Sequence, residues 1–280
     1  MAFSVNTNAG ALFALQALNK TNSQLDSVQS RINTGLKVAS AKDNAAVFAI
    51  AQGQRADLAG LGAVKGSLDR ASSSINVALA ATEAVSDLLV QLKEKATAST
   101  DPGADAAARI ALNDEFQNLV DQIDTVVNNA EFNGVNAVKN GGNAIQALTA
   151  LADGTNTAGD YSITIAATDI SASDGLGLTT AVDILDVTNA SSSLALITTA
   201  ETTLNTLLSK LGAGGKRIDI QRAFTDKLSD AIEVGIGNLV DADLARESAN
   251  LQSLQVRQQL GLQALSIANQ APGSVLSLFR

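Results

Sequence analysis

"LGAVKGSLDRASSSINVALAATEAVSDLLVQL", Leu61 to Leu92, repeats its apolar residues at sevens. Leu61, Leu68, Ile75, Thr82 and Leu89 share one heptad position. Val64, Ala71, Ala78, Val85 and Leu92 share the position three further on. Steps of three and four keep one face of an α-helix apolar. A seam held over five successive heptads calls for coiled-coil packing against other helices. The periodic segment extends from about Asp43, a suitable N-cap, to Ala98. As one helix it would be ~84 Å long at ~1.5 Å per residue. Gly53, Gly60, Gly62 and Gly66 lower its helix propensity and leave room for a close neighbour.

Further helices flank this one. Upstream, Thr7 to Ile32 carries Leu12, Leu15, Leu18, Leu25, Val28 and Ile32 on an amphipathic period, and "NTGLK" (Asn33 to Lys37) ends it. Downstream, "TDPGA" makes a turn, and a helix over Ala104 to Ala130 turns Ile110, Phe116, Leu119, Ile123 and Val126 or Val127 inward. From Phe132 the chain becomes rich in Gly, Asn, Asp and Thr. "YSITIAA" (Tyr161 to Ala167) alternates as a strand, and "DGTNTAGD" before it reads as a hairpin loop. Helical spacing returns by Ser191, through Ile197, Leu204, Leu207, Leu211, Ile218, Leu228, Ile232 and Leu239. Leu204, Leu211, Leu228 and Ile232 are placed in the same core seam as the opening heptads. The fold expected is mainly α: long antiparallel coiled-coil helices from both termini with a small β-hairpin insert. Its segments are 1–42, 43–130, 131–190, 191–238 and 239–280.

The last helix, over Asp241 to Asn269, has two apolar faces. At ~100° per residue, Leu244, Leu251, Leu254, Leu262 and Leu265 cluster on one face; Val256, Leu260, Ala264 and Ile267 lie opposite. Between Arg257 and Arg280 no residue is charged, and the stretch ends in Val275, Leu276, Leu278 and Phe279. One face can pair with the first helix. The other finds no partner in the sequence. The tail is therefore expected to order only when copies of the chain enclose it.

Composition narrows the function. The 280 residues include no His, Cys or Trp and a single Tyr. That excludes thiol nucleophiles, Cys-ligated zinc, an imidazole base and a Ser-His-Asp triad. No enzymatic activity and no cofactor are expected. Net charge is −9, without a basic cluster for tracking phosphates, so no nucleic-acid partner is expected. Met1 to Asn19 lacks a basic leader region, and no uninterrupted apolar run approaches a membrane span, so neither a secretory signal nor a membrane partner is expected. "GAGGKR" lacks the spacing of a phosphate loop, and "DGTNTAGD" lacks the alternating ligands of an EF-hand. Asp241, Asp243 and Glu247 in "DADLARE" suit a helix N-terminus better than a metal.

At both ends the chain resembles the bacterial flagellins. "VNTNAGALFALQALNKTNSQLDSVQSRINTGLKVASAKDNAAVFAIA" (Val5 to Ala51) is similar to the family's N-T-N start, R-[IL]-x-[ST]-G block and A-x-D-[DN]-A-A block. "EFNG" (Glu131 to Gly134) sits where the family has F-N-G. "DADLARESANLQSLQVRQQLGLQALSIANQAPGSVLSLFR" (Asp241 to Arg280) resembles its D-x-D-x-A-x-E block and A-N-Q-x-P-x-x-V-L-x-L ending. The kind resembled is a short, alphaproteobacterial-like flagellin without large outer domains. The resemblance implies an inner helical tube built from both termini and a structural subunit that polymerises into the extracellular filament used for swimming. It also implies passage through the flagellar type III export apparatus with an export chaperone, a filament cap, and hook-associated junction proteins as neighbours. The polymer would contain this chain alone or mixed with other flagellins. A hook-associated junction protein, whose termini are similar, is the alternative. The family's innate-receptor motif L-Q-R-x-R-E-L-A is matched by "LVQLKEKA" (Leu89 to Ala96), with Gln91 for the first arginine, Lys93 for the second and Glu94 kept. That departure implies weak or absent receptor activation.

Overall fold

The computed structural model describes residues 7–151, 161–179 and 182–276, with side chains to residue 270. It contains helices α1 (Ala9–Thr34), α2 (Ala45–Ser99) and α3 (Ala106–Asn129), strands β1 (Ile145–Leu148) and β2 (Ser162–Ile165), and helices α4 (Val187–Val240) and α5 (Leu244–Leu276). The chain forms two compact units, Met1–Ala56 with Ala231–Arg280, and Asp57–Asp230. The unit boundaries fall inside α2 and α4, not at the helix ends where the sequence segments divide.

Helix starts follow side-chain capping. Asn8 accepts from the Ala11 amide at 3.0 Å, and Asp105 accepts from Ala108 at 2.7 Å. The cap of α2 is Asn44, which accepts from Val47 at 3.1 Å, and not Asp43 as the sequence suggested. Asp43 instead closes the preceding turn, accepting from the amides of Ala39 and Ser40 and from the Ser40 hydroxyl. Those bonds, led by the Ser40 amide, hold its carboxyl below the usual carboxylate range. The "NTGLK" break is a C-cap: Gly35 takes φ 72° and donates to the Arg31 carbonyl at 2.8 Å.

In the Asp57–Asp230 unit, the heptad seam is the core. Leu68, Val85, Leu89 and Leu92 are fully buried, with Leu61, Val64 and Ile75 almost so. Phe116, Val120, Ile123 and Val127 join them from α3, and Ile197, Leu204, Leu207, Leu211 and Ile218 from α4. Thr82 is also buried in the seam; its hydroxyl donates to the Ala78 carbonyl at 2.7 Å, so no hydrogen bond is lost. Three expectations are corrected. Ile110 and Leu228 are exposed, and Ile232, in the other unit, is half-exposed. Each keeps the 3–4 spacing, but spacing fixes only the helix face and not what packs against it. Ion pairs Lys65–Asp226, Asp69–Arg222 and Lys93–Glu201 show α4 antiparallel to α2. Such exposed pairs contribute little energy but mark register.

A window of α2 reaches a mean hydropathy of 1.3, enough by length and composition for a bilayer-crossing helix. This differs from the sequence expectation, which rests on apolar runs: here Ala, Val and Leu interspersed with polar residues raise the average without forming a run. Part of that apolarity is the buried seam, whose side chains face the core of their own unit; 39% of the window is buried.

β1 and β2 pair antiparallel, Ile145 opposite Ile165 and Leu148 opposite Ser162. Their inward residues Ile145, Ala147, Ile163 and Ile165 join the main core. β1 is absent from the sequence expectation because in IQAL the inward Ala147 is small and the outward Leu148 is apolar, which hides the alternation that SITI displays. "DGTNTAGD" lies outside the described residues. Helix glycines receive this layer. A Cβ on Gly214 would stand 2.4 Å from Ile165 Cδ1, and one on Gly60 2.4 Å from Leu151 Cδ2.

Asn136 ties the "EFNGVNAVKN" turn to α3. It is buried, donates to the Val127 carbonyl at 2.7 Å, and accepts from Val138 and Lys139. Asn136→Ala strands all three groups and should cost about 2–4 kcal/mol, read as a lower urea midpoint.

Candidate assembly surface

Within the unit formed by residues 1–56 and 231–280, α1 and α5 lie antiparallel. Arg31 Nη1 is 3.4 Å from Glu247 Oε1, Gln258 donates to Asn22 at 2.8 Å, and Asn8 Nδ2 donates to the Ala268 carbonyl at 2.6 Å. Asn8 thus caps α1 and holds α5 with one side chain. Leu25, Val28 and Leu254 are buried together, with Ile32 and Leu251 packed against them. Leu18 is buried beside Gly261, where a Cβ would come within 3.3 Å of Leu18 Cδ1. The Leu36–Asp241 bridge, with Lys37 and Val38 donating to Val240, joins the two connections near the helix ends. Glu247 is nearly buried, and its Oε2 has no partner among the described residues.

This pairing uses one face of each helix. On α1, Leu12, Phe13 and Leu15 stay exposed, Phe13 at 73%. On α5, Leu244, Val256, Leu260, Leu262 and Ile267 stay exposed, Ile267 at 69%. Leu244 and Leu262 share the wheel face of Leu251 and Leu254, which pair with α1, yet both stay exposed. They fall outside the contact because two cylinders touch over less than the wheel's apolar arc, which leaves Leu265 half-buried. Phe13 was not singled out from the sequence, although its aromatic side chain between Leu12 and Leu15 marks it. Leu276 lies within α5 with its side chain outside the described residues, and Phe279 lies outside them altogether. The receptor-motif residues sit on α2, in the other unit. Gln91 and Glu94 are exposed, while Lys93 is held by Glu201 at 3.0 Å.

Eight large apolar side chains stay exposed on this helix pair, the kind of surface that other molecules cover where it forms a patch. Fold and surface define a helical subunit with an apolar face on each terminal helix. Comparison with known proteins identifies the class. The bacterial flagellin N-terminal helical region matches residues 5–141, and the C-terminal helical region matches residues 194–279. Flagellin FljK of Caulobacter vibrioides is 48% identical over 277 residues, covering 99% of this chain and 98% of that one. The flagellin of Brucella melitensis is 36% identical over 286 residues, covering 99% of each. Among solved structures, a putative flagellar hook-associated protein from Vibrio parahaemolyticus shares the fold at TM-score 0.57, with 10% identity over 71% of this chain and all of that one. The chain belongs to the bacterial flagellin family. It is a structural subunit of the extracellular flagellar filament, the organelle of swimming motility.

Proposed function

We propose that the exposed faces of α1 and α5 are the polymerisation surface and that other copies of the chain cover them. The observation that supports this most is the uncharged, apolar outer face of α5 around Leu260 and Ile267. Covering it removes apolar area from water at about 25 cal/mol per Å². The α1–α5 pair is helical in the single chain, with one face of each helix packed. Assembly would raise its stability by burying the rest. The polymer forms from this chain alone or together with other flagellins. The subunit leaves through the flagellar export apparatus with an export chaperone. It then adds beneath a filament cap, beyond the hook-associated junction proteins. Its role is structural and involves no catalysis, cofactor, nucleic acid or membrane.

Electron microscopy of purified subunits in a salting-out buffer tests this reading. Long filaments are expected. Short caps or rings that never elongate would point instead to a junction protein.

The receptor motif leads to a second expectation. Gln91 replaces a guanidinium with a neutral amide, and Lys93 is drawn to Glu201. An innate-receptor reporter exposed to monomer should respond far more weakly than to a motif-intact flagellin. An equal response would exclude the assignment.

A further inference from the structure

We propose that a second copy of the chain docks its acidic α2 face, residues 80–94, onto the basic and apolar outer face of α4, residues 210–228. This rests on the assembly reading above but concerns the Asp57–Asp230 unit, away from α1 and α5. On α4, Lys210, Arg217, Ile220, Phe224, Lys227 and Leu228 fall within about 60° of Phe224 at 3.6 residues per turn. All are exposed, Ile220 at 66% and Phe224 at 56%. Asp226 lies away from this stripe and pairs with Lys65. Among the described residues, Lys210, Arg217 and Lys227 make no ion pair.

The second stripe has the opposite sign. Glu83, Asp87, Val90 and Glu94 fall within about 60° of Asp87 on α2. All four are exposed, and the three carboxylates make no ion pair among the described residues. The nearest cations along the helix, Lys93 and Lys95, are held by Glu201 and Glu115. In a chain of net charge −9, the α4 stripe is a local basic exception, and the acidic stripe complements it.

Spacing sets the register. Lys210 and Arg217 are seven residues apart, as are Asp87 and Glu94. Antiparallel docking sets Lys210 against Glu94 and Arg217 against Asp87, with Phe224 over Ala80. Within one chain Arg222 meets Asp69, which puts Arg217 level with Ser74. Asp87 lies thirteen residues beyond Ser74, so the docked copy is displaced by about 20 Å along the helix axis. One face meeting a different face with an axial step gives a heterologous contact that does not close, and it repeats into an open polymer.

The full-length D87C/R217C variant tests this. The chain has no other cysteine, and within one molecule these two positions are about 20 Å apart, beyond disulfide reach. Oxidising its polymer should give a covalent ladder, while a D87C/K139C control should give none. Independently, K210E/R217E should raise the critical concentration for assembly about tenfold. Adding D87R and E94K to the same chain should restore it. Unchanged monomer unfolding would show that these surface variants fold. A wild-type polymer with no ladder and no charge-reversal effect overturns the contact and leaves the assembly reading standing. Cross-links only to a different added protein overturn it too. A wild-type chain that never polymerises defeats both.

Discussion

Replacing Leu260 and Ile267 together by glutamate should abolish polymerisation while leaving the Asp57–Asp230 unit as stable as before. Both residues are exposed in the single chain, so charging them costs the monomer little. In an assembled state the carboxylate at 267 would lose its water with no cation within a turn of it on α5, while that at 260 would have only Arg257, three residues back. Burying a charge costs several kcal/mol when it is unpaired, so the substitution at 267 carries most of the effect and that at 260 adds to it. Sedimentation of the variant should show monomer at concentrations where wild type pellets. The isosteric L260Q/I267Q variant should fall between them, since an amide desolvates at lower cost than a carboxylate.

The second large effect concerns two turns. A methyl group on Gly142 would meet the Asn136 carbonyl oxygen at 2.3 Å and that of Lys139 at 2.8 Å. On Gly175 it would meet the Asp169 carbonyl oxygen at 2.4 Å and the Ile170 amide nitrogen at 2.8 Å. These obstacles are backbone and cannot rotate aside, unlike Leu151 at Gly60 or Ile165 at Gly214. G142A and G175A should each cost about 2–4 kcal/mol, against about 1 or less for G60A. The turns hold the segments before β1 and between β2 and α4 against the helices: Asn136 donates to the Val127 carbonyl, Ala172 donates to Asp124, and Ile184 donates to Asn113. Loss of either turn should therefore appear as cooperative unfolding of the whole unit. Guanidinium titration followed by circular dichroism measures both effects.

Much of this architecture was legible in the sequence because helices advertise a long period. The Leu61 to Leu92 heptads, the α1 stripe and the two-faced α5 each repeat often enough to outweigh single exceptions. Short-range decisions were less readable. Asn44 and Asp43 are adjacent and chemically alike, and only the backbone path decides which one caps α2. β1 is no shorter than β2, but its small inward Ala147 and apolar outward Leu148 mask the alternation. Leu228 keeps the helical spacing of its core neighbours yet faces outward, because spacing gives a face but not what stands opposite it. The same limit hid the roles of Gly60 and Gly214, which depend on Leu151 and Ile165 from distant sequence. The free charges of the α2 and α4 stripes became visible only once the intrachain pairs had been assigned.

The central claim is that copies of the chain enclose the outer faces of α1 and α5. Amide hydrogen exchange across these helices, compared between dilute monomer and assembled filament, tests it most directly. Partial protection over 9–34 and 244–276 in the monomer, because α1 and α5 already pair in the single chain, and much slower exchange there in the filament is the predicted result. Equal, strong protection in the solitary monomer, unchanged on assembly, would contradict it.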